Sequence, residues 1–215
     1  MGTAYLLRHG ETDYHAAQRL LGRKDIGLNE KGKEQARRAA GFFAELKLTA
    51  VYSSPLSRCM ETALPVAESQ GLEIEVVQGL IEVDMGEWDG RSVKELFSEE
   101  GELVGAWMRN PSSVAIPGGE DFGVVKERVM RATREITARH PGEDRVLIVA
   151  HGGPIRGILC EALKMDLDDM LRIQIDLASI SAVKYFDGNI PETAMVSLVN
   201  ETSHLRHDLS SSGDG

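Results

Sequence analysis

The chain has 215 residues, of which 42% are hydrophobic and 27% are charged, which is enough for one domain with a full hydrophobic core. Its formal net charge of −10 argues against a protein that binds nucleic acid through a general excess of lysine and arginine. No apolar run is long enough to span a membrane, and the first residues lead into a predicted strand rather than a signal peptide. We therefore expect a cytoplasmic protein in which Cys59 and Cys160 are reduced thiols packed as small hydrophobic residues.

Short apolar runs alternate along the chain with longer segments of helical periodicity. In chain order the pattern predicts a strand at 4–7, a helix at 29–46, a strand at 50–53, a helix from 54, a strand at 74–77, a small helix from 92, a helix at 122–136, a strand at 146–150, a helix at 154–163, and strands at 179–186 and 193–200. This alternation is typical of a layered α/β domain, in which the continuous apolar strand 146–150 lies buried in a parallel sheet.

Local signals predict where the first two long helices begin and end. Asn29 is the expected N-cap of the first. Ser54 followed by Pro55 is read as the N-cap and first helical residue of the second, and Pro65 is expected to kink or end that helix.

The later part of the chain carries three further signals. Ser92 and Glu95 form a predicted capping box that opens a small helix, while 101–119 is expected to be the least regular stretch. The turn signal at 187–189 makes the last two strands antiparallel neighbours.

Polar side chains follow four of the predicted strands. They are two arginines, two histidines and a carboxylate: Arg8, His9, Arg58, Glu82 and His151. Ligands of a wound α/β sheet bind at the carboxyl ends of its strands, so we expect these side chains to converge there. Arginines near helix N-termini form an anion site, and the set suits the phosphoryl group of a monoester. Each residue alone has a structural explanation, but their coincidence at four strand ends favours a function.

Five ordered motifs over residues 4–205 resemble the histidine phosphatase superfamily, in its phosphoglycerate-mutase-like branch. The motifs are residues 7–12 (LRHGET), 53–58 (SSPLSR) with 61–63, Glu82 with Gly86 and Trp88, 117–120 (PGGE), and 149–153 (VAHGG). The resemblance implies a three-layer α/β fold, with a mainly parallel sheet, one antiparallel edge strand and helices on both faces. It implies a single domain at 1–205, followed by a flexible tail at 206–215.

The resemblance also implies the role of each strand-end residue. His9 would attack phosphorus, while Arg8, Arg58 and His151 would hold the phosphoryl oxygens. Glu82 would protonate the leaving oxygen and then activate the water that opens the phosphohistidine. No metal and no cofactor are expected.

The implied substrate-binding set contains the three residues that hold the phosphoryl group together with five more. It consists of Arg8, Arg58, His151, Thr12, His15, Leu21, Gly22 and Gly152. The expected ligand is a small phosphorylated metabolite, with no nucleic-acid or membrane partner, and a homodimer is compatible with the sequence.

Departures from the family pattern bear on the substrate. Tyr14-His15 replaces the usual Trp-Asn, Gly27 replaces a proline, and Ala150 replaces a serine. The chain has Met85 where mutases have a tyrosine, and it lacks their arginine pair, so hydrolysis is expected over mutase activity. Residues 119–122 and 200–205 resemble α-ribazole phosphatases, which makes α-ribazole 5′-phosphate a candidate substrate.

Three alternatives stay open from the sequence. A cofactor-dependent phosphoglycerate mutase would use the same His9 and return the phosphoryl group to a second substrate oxygen. A metallohydrolase would use two histidines and a glutamate as zinc ligands, although Arg8 and Arg58 would repel the cation. A non-catalytic relative would bind phosphorylated proteins, although the complete set of five residues argues against it.

Overall fold

The computed structural model describes residues 1–186 and 194–206. Its strands are β1 (Gly2–Arg8), β2 (Ala50–Ser53), β3 (Ile74–Val76), β4 (Arg145–Ala150), β5 (Ile180–Tyr185) and β6 (Met195–Glu201). Its α-helices are α1 (Asp13–Ala16), α2 (Glu30–Phe43), α3 (Ser57–Gln70), α4 (Val93–Arg109), α5 (Phe122–Ala138) and α6 (Gly152–Leu163). Short 3₁₀ turns lie at Gln78–Leu80, Gly86–Trp88, Leu167–Arg172 and Ser203–Leu205.

The six strands form one sheet in the order β3–β2–β4–β1–β5–β6. The first four strands in this order pair in parallel, β5 is antiparallel to β1, and β6 is antiparallel to β5. The predicted mainly parallel sheet with antiparallel pairing at one edge is therefore confirmed. The reversed strand is β5, and β6 lies outside it. The predicted turn at 187–189 lies outside the described residues, as does the predicted tail after Arg206.

Helices cover both faces of the sheet because its central strands are apolar on both sides. Leu6 packs in a cluster with Ile155 of α6, whereas its neighbour Leu7 packs in a second cluster with Phe43 of α2. Successive side chains of a strand point to opposite faces, so a continuous apolar run must be covered twice. The predicted three-layer arrangement is confirmed.

The two central parallel strands send the chain to opposite faces. After β1 the chain leads to α2 on one face, and after β4 it leads to α6 on the other. Such a divergence between adjacent strands opens a crevice at their carboxyl ends. This crevice is where His9 and His151 emerge.

Two of the predicted helix starts are confirmed in atomic detail. The Oδ1 of Asn29 accepts the Gly32 N–H at 2.8 Å and caps α2. Ser92 and Glu95 exchange the two hydrogen bonds of a capping box at the start of α4. In both cases the cap lies within four residues of the groups it satisfies, so the local sequence was sufficient to predict it.

The predicted start of α3 at Ser54 and Pro55 is wrong. The helix begins at Ser57, and the carboxylate of Asp25 accepts the Ser57 N–H at 2.7 Å and its hydroxyl at 2.9 Å. A residue from a distant segment therefore caps the helix. The Ser54 hydroxyl instead lies 2.7 Å from the Nε2 of His151.

The helices differ from the sequence prediction at two further places. Pro65 lies inside α3 and does not end it, because buried residues on both sides of the proline, including Ala63 and Val66, hold the helix in the core as far as Gln70. The stretch 101–119 begins as a helix. α4 changes direction at Glu100 and then continues to Arg109. The glycines of this stretch lower its helix propensity, but burial of Val104 outweighs them.

Candidate active site

The site lies at the crevice between the carboxyl ends of β1 and β4. His9 follows β1 directly, and its backbone N–H donates to the Ala150 carbonyl at 3.0 Å. His151 is the residue that precedes α6. The two imidazole ring centroids are 5.1 Å apart, so pairing of the two strands brings the two histidines together.

The tautomer of His9 follows from its hydrogen bond. Its Nδ1 lies 2.8 Å from the Gly10 carbonyl oxygen, which can only accept, so Nδ1 carries the proton. The lone pair therefore lies on Nε2. Burial lowers the pKa of His9 well below its usual range, and the neighbouring His151, Arg58 and Arg8 lower it further. His9 is thus a neutral imidazole with one nitrogen ready to act as a nucleophile.

Arg58 is fully buried and braces the second histidine. Its Nε donates to the His151 Nδ1 at 3.2 Å, and its two terminal nitrogens donate to the carbonyls of Gly22 and Lys24. Because Nδ1 of His151 accepts, its Nε2 carries the proton and donates to the Ser54 hydroxyl. Burial lowers the pKa of His151, with the Arg58 charge as the next cause.

Arg8 directly precedes the nucleophile and supplies a second guanidinium, which is half-buried. Its Nη1 donates to the Ile175 carbonyl at 2.7 Å, whereas its buried Nε has no partner among the described residues. Burial lowers the pKa of Arg8 to about 10, which still leaves it charged at neutral pH. A half-buried cation with an open hydrogen-bond donor is suited to receive an anion.

Glu82 lies in an irregular segment on the other side of the crevice. Its Oε1 accepts the Val83 N–H at 2.9 Å, and the Gly153 N–H also interacts with the carboxylate. The approach is close, because a Cβ on Gly153 would lie 2.6 Å from Oε1. Burial raises the pKa of Glu82 despite these donors and the charges of Arg58 and Arg8. The carboxyl group therefore keeps its proton to a higher pH than an exposed glutamate does.

Arg128 of α5 holds the segment that carries Glu82. It donates to the backbone carbonyls of Gly79, Ile81 and Glu82 at 3.0, 2.6 and 3.0 Å. It also donates to Glu120 Oε2 at 3.1 Å, and the same oxygen accepts the Asp84 N–H. One guanidinium thus fixes the main chain on both sides of the carboxyl group.

The neighbouring loop packs against the segment backbone to backbone. Gly86 has a φ of +47°, and a Cβ there would lie 2.2 Å from the Pro117 carbonyl oxygen. Only glycine fits this approach. The Gly86 and PGGE motifs are therefore joined in one structure behind Glu82.

A cavity of about 200 Å³ opens in front of these groups. Its polar lining comes from Arg8, His15, Arg19, Glu82 and Arg156. Its apolar wall includes Leu20, Leu21, Val83, Met85, Trp107, Phe122, Met170 and Leu171. His9, Arg58 and His151 lie behind this lining, and His9 keeps 2% of its surface exposed.

The other residues of the predicted substrate-binding set lie in the same region. The His15 ring is 5.1 Å from the His9 ring, and its Nδ1 lies 2.8 Å from the buried Thr12 hydroxyl. Burial, with the Arg8 charge as the next cause, lowers the pKa of His15 to about 4. Leu21 and Gly152 line the cavity, and the Gly22 carbonyl accepts from Arg58. These residues therefore lie at the site, and their roles in binding the substrate stay predictions.

Several residues that build the site were not recognised as site residues in the sequence. The sequence predicts Ser54 as a helix cap, although this residue follows a strand, as the other candidates do, and its hydroxyl contacts His151. Thr62 accepts the Gly10 N–H at 3.0 Å and so fixes the chain after the nucleophile. Arg128 and Arg156 carry no local signal, since helical arginines are usually solvent-exposed.

Cys59 packs directly against His151. Its Sγ lies 3.4 Å from the His151 Nε2 and 3.4 Å from the Ala150 carbonyl oxygen. Both cysteines are free and buried, and burial raises the pKa of the Cys59 thiol. Within 1–186 and 194–206, no group of three or more His, Cys, Asp or Glu side chains is arranged to hold a metal ion. In the same ranges, no helix has the length and hydrophobicity needed to cross a membrane.

Comparison with known proteins shows which family the chain belongs to. Residues 4–197 match the model of the histidine phosphatase superfamily, branch 1. The chain is 38% identical over 202 residues to the bifunctional protein Rv2228c of Mycobacterium tuberculosis, covering 93% of this chain and 54% of that protein. It therefore spans about half the length of this mycobacterial relative.

Two further relatives are similar over most of their length. The chain is 35% identical over 178 residues to phosphoserine phosphatase 1 of Hydrogenobacter thermophilus, covering 83% of this chain and 84% of the relative. The mycobacterial glucosyl-3-phosphoglycerate phosphatase, solved with VO3, superposes with a TM-score of 0.85 at 28% identity. That match covers 93% of this chain and 99% of the solved one.

Proposed function

The chain belongs to branch 1 of the histidine phosphatase superfamily, and we propose that it hydrolyses phosphate monoesters through a phosphohistidine formed on His9. The observation that carries the proposal is the state of His9: it is neutral, its Nδ1 is bound to the Gly10 carbonyl, and the charges of the buried Arg58 and the half-buried Arg8 act on its ring. The similarity to relatives named as phosphatases supports the same reaction.

In the first step, Nε2 of His9 attacks phosphorus and the bond from phosphorus to the ester oxygen breaks. Arg8 and Arg58 stabilise the charge on the three oxygens that stay on phosphorus, together with His151. Arg8 offers its unpartnered Nε, and the Nε2–H of His151 can turn from Ser54 to a phosphoryl oxygen. Because these donors are held by main-chain carbonyls and by one another, little reorganisation is needed when the phosphoryl group arrives.

Glu82 handles the proton in both steps of the proposed reaction. It begins protonated, as its raised pKa favours, and donates to the departing alcohol oxygen. The resulting carboxylate then takes a proton from the water that attacks the phosphohistidine. Inorganic phosphate leaves, and His9 and Glu82 return to their starting states.

The substrate proposed is a small phosphorylated metabolite. A cavity of about 200 Å³ is smaller than most sites for drug-sized ligands, which favours a compact alcohol. α-Ribazole 5′-phosphate stays a candidate because of the motif resemblance, although its bulky base would extend beyond this volume. The names of two relatives point to phosphorylated acids, phosphoserine and glucosyl-3-phosphoglycerate.

Phosphoglycerate mutase activity is the alternative that uses the same His9. Met85 lines the cavity where mutases carry a tyrosine, so the chain has one donor fewer for a second phosphate. A coupled assay with 3-phosphoglycerate separates the two activities, because a phosphatase releases inorganic phosphate and a mutase releases an isomer.

The test of the proposal is to trap the phosphohistidine. Substrate is mixed with protein and denatured rapidly, and we expect an acid-labile, base-stable phosphoryl group on the wild type and none on His9→Ala. Steady-state turnover of His9→Ala should fall at least about 10⁴-fold, as when other covalent nucleophiles are removed.

His15→Ala is the matched control, because its ring lies as close to His9 as that of His151 does. This variant should still form the phosphohistidine. An equal amount of trapped phosphate on His9→Ala would exclude His9 as the nucleophile. The substrate screen should use phosphoserine, phosphoglycerates, sugar phosphates and α-ribazole 5′-phosphate.

A further inference from the structure

Arg156 is a charged residue of the cavity to which the reaction proposed above gives no role. It lies one turn into α6 and lines the cavity beside Arg8 and Gly152. Its Nε donates to the Ile173 carbonyl at 2.9 Å, which fixes the guanidinium plane. Neither terminal nitrogen has a hydrogen-bond or ion-pair partner among the described residues.

The two arginines are held side by side by one short segment of main chain. Ile173 O accepts from Arg156, and Ile175 O accepts from Arg8. A Cβ on Gly152 would lie 3.0 Å from Arg156 Nη1 and 3.6 Å from Arg8 Cζ, so both guanidiniums border the same point. Like charges repel at such a separation, and an anion bound between them would remove the repulsion.

No carboxylate forms an ion pair with Arg156 among the described residues, although the charges of Glu82 and Asp176 act on it. A phosphate dianion would be matched by Arg8 and Arg58. Glu82 begins the proposed reaction protonated, and the half-buried Asp176 already accepts hydrogen bonds from Gln174 and Asn200. Arg19 adds a further positive charge at the cavity rim, where its Nη1 donates to the Gly90 carbonyl.

We infer that Arg156 binds a second anionic group of the substrate, a carboxylate a few bonds from the phosphate, so that the substrate is a small phosphorylated carboxylic acid. A planar guanidinium with two free terminal nitrogens matches a carboxylate in bidentate geometry. The rest of the cavity wall is largely apolar, and Arg19, the lining arginine other than Arg8 and Arg156, stands at the rim with its Nη1 bound to the Gly90 carbonyl. The inference rests on the proposed function, because it extends the same site.

The test compares two esters of the same size. D-3-Phosphoglycerate and sn-glycerol 1-phosphate have the same phosphate and a neighbouring hydroxyl of the same configuration, and they differ in a carboxylate against a hydroxymethyl group. In Arg156→Gln, we expect kcat/KM for D-3-phosphoglycerate to fall roughly ten- to hundredfold more than for sn-glycerol 1-phosphate, mainly through KM. Arg156→Lys keeps the charge without the planar fork, and it should recover part of that difference.

Arg172→Gln is the matched control, because Arg172 is exposed, pairs with Asp169 and is the last residue of the 3₁₀ turn that leads to Ile173. Removal of its charge should not change the ratio between the two esters. An equal loss on both esters in Arg156→Gln would place Arg156 on the transferred phosphate and overturn the inference. Unchanged kinetics on both esters would also overturn it.

Binding to the His9→Ala variant separates this inference from the proposed function. Calorimetric titration with each ester measures the preference for the carboxylate without turnover, and the double variant with Arg156→Gln should lose that preference. Absence of His9-dependent hydrolysis of p-nitrophenyl phosphate by the wild type would count against the proposed function alone. Equal affinity of His9→Ala for the two esters would count against the second anion site alone.

Discussion

His9 and Glu82 face the same crevice, but different forces hold them there. His9 stands at the end of a central strand, where its N–H bonds to Ala150 and its carbonyl accepts from Ala178. Glu82 stands in an irregular segment, and the side chain of Arg128 holds the main chain around it. The sheet itself positions the nucleophile, whereas side-chain hydrogen bonds position the proton donor. A distant substitution can therefore misplace the second group without disturbing the first.

Among the variants that test this difference between His9 and Glu82, the largest effect is expected from Glu82→Gln. The variant should be about 10³-fold slower on an alkyl phosphate, because an alkoxide needs a proton to leave. On p-nitrophenyl phosphate, whose phenolate leaves unaided, the phosphorylation step should stay within about tenfold of the wild type. Single-turnover rates with both substrates measure the difference.

The pH profile gives a second readout on the same variant. The wild type should lose kcat/KM as pH rises through the raised pKa of Glu82, because the deprotonated acid has no proton to donate. It should lose kcat/KM as pH falls through the lowered pKa of His9, because the protonated imidazole has no lone pair. Glu82→Gln should keep the acid limb and lose the alkaline one. If Glu82→Gln instead lowers the rate on both substrates by the same factor and keeps the alkaline limb of the pH profile, Glu82 has a structural role and is not the proton donor.

Arg8→Ala and Arg58→Ala should each lower kcat/KM by at least about a hundredfold, the effect of removing one preorganised donor from a transition-state charge. Arg58→Ala should also lower the melting temperature, because it leaves the buried Gly22 carbonyl and the His151 Nδ1 without their donor. Steady-state kinetics and thermal unfolding measure the two effects. Full activity in either variant would remove that arginine from the site.

The smallest effect is expected from Arg128→Gln. This variant tests directly whether side-chain hydrogen bonds position the proton donor Glu82. Loss of the guanidinium should lower the rate on an alkyl phosphate about tenfold and leave phosphorylation by p-nitrophenyl phosphate nearly unchanged. This pattern would repeat that of Glu82→Gln at a smaller size, since Arg128 positions the acid without touching substrate.

The matched control for Arg128 is an arginine at the C-terminal end of the same helix. Arg139 is about half exposed, pairs with Glu75, and can be changed to Gln without contact to the Glu82 segment. Arg139→Gln should match the wild type on both substrates. Equal losses on the alkyl and aryl esters in Arg128→Gln would show a general structural role instead of control of the proton donor.

The sequence predicted best what short-range patterns determine. Asn29 and Ser92 cap helices within their own segment, and His9 and His151 follow apolar runs that can form only buried strands. The start of α3 was missed because Asp25, 32 positions away, caps it. Because Ser54 is predicted to cap α3, its contact with His151 is missed as well.

The supporting arginines could not have been predicted in the same way. Arg128 reaches backbone carbonyls 46 to 49 positions earlier, and its local sequence resembles any amphipathic helix. Arg156 shares a pocket with Arg8 only because β1 and β4 pair. Such contacts depend on the tertiary fold, so no period or spacing in the sequence reports them.

The pairing of β1 with β4 also determines when the site can exist. Arg8 lies opposite Ala150, so a strand from the first ten residues must wait for one that starts at Arg145. Closing so long a loop costs chain entropy before any contact is gained, and such non-local pairings form slowly. During synthesis, a ribosome-bound chain that ends before β4 carries His9 without Ala150 and His151 beside it. The crevice is therefore a late product of folding.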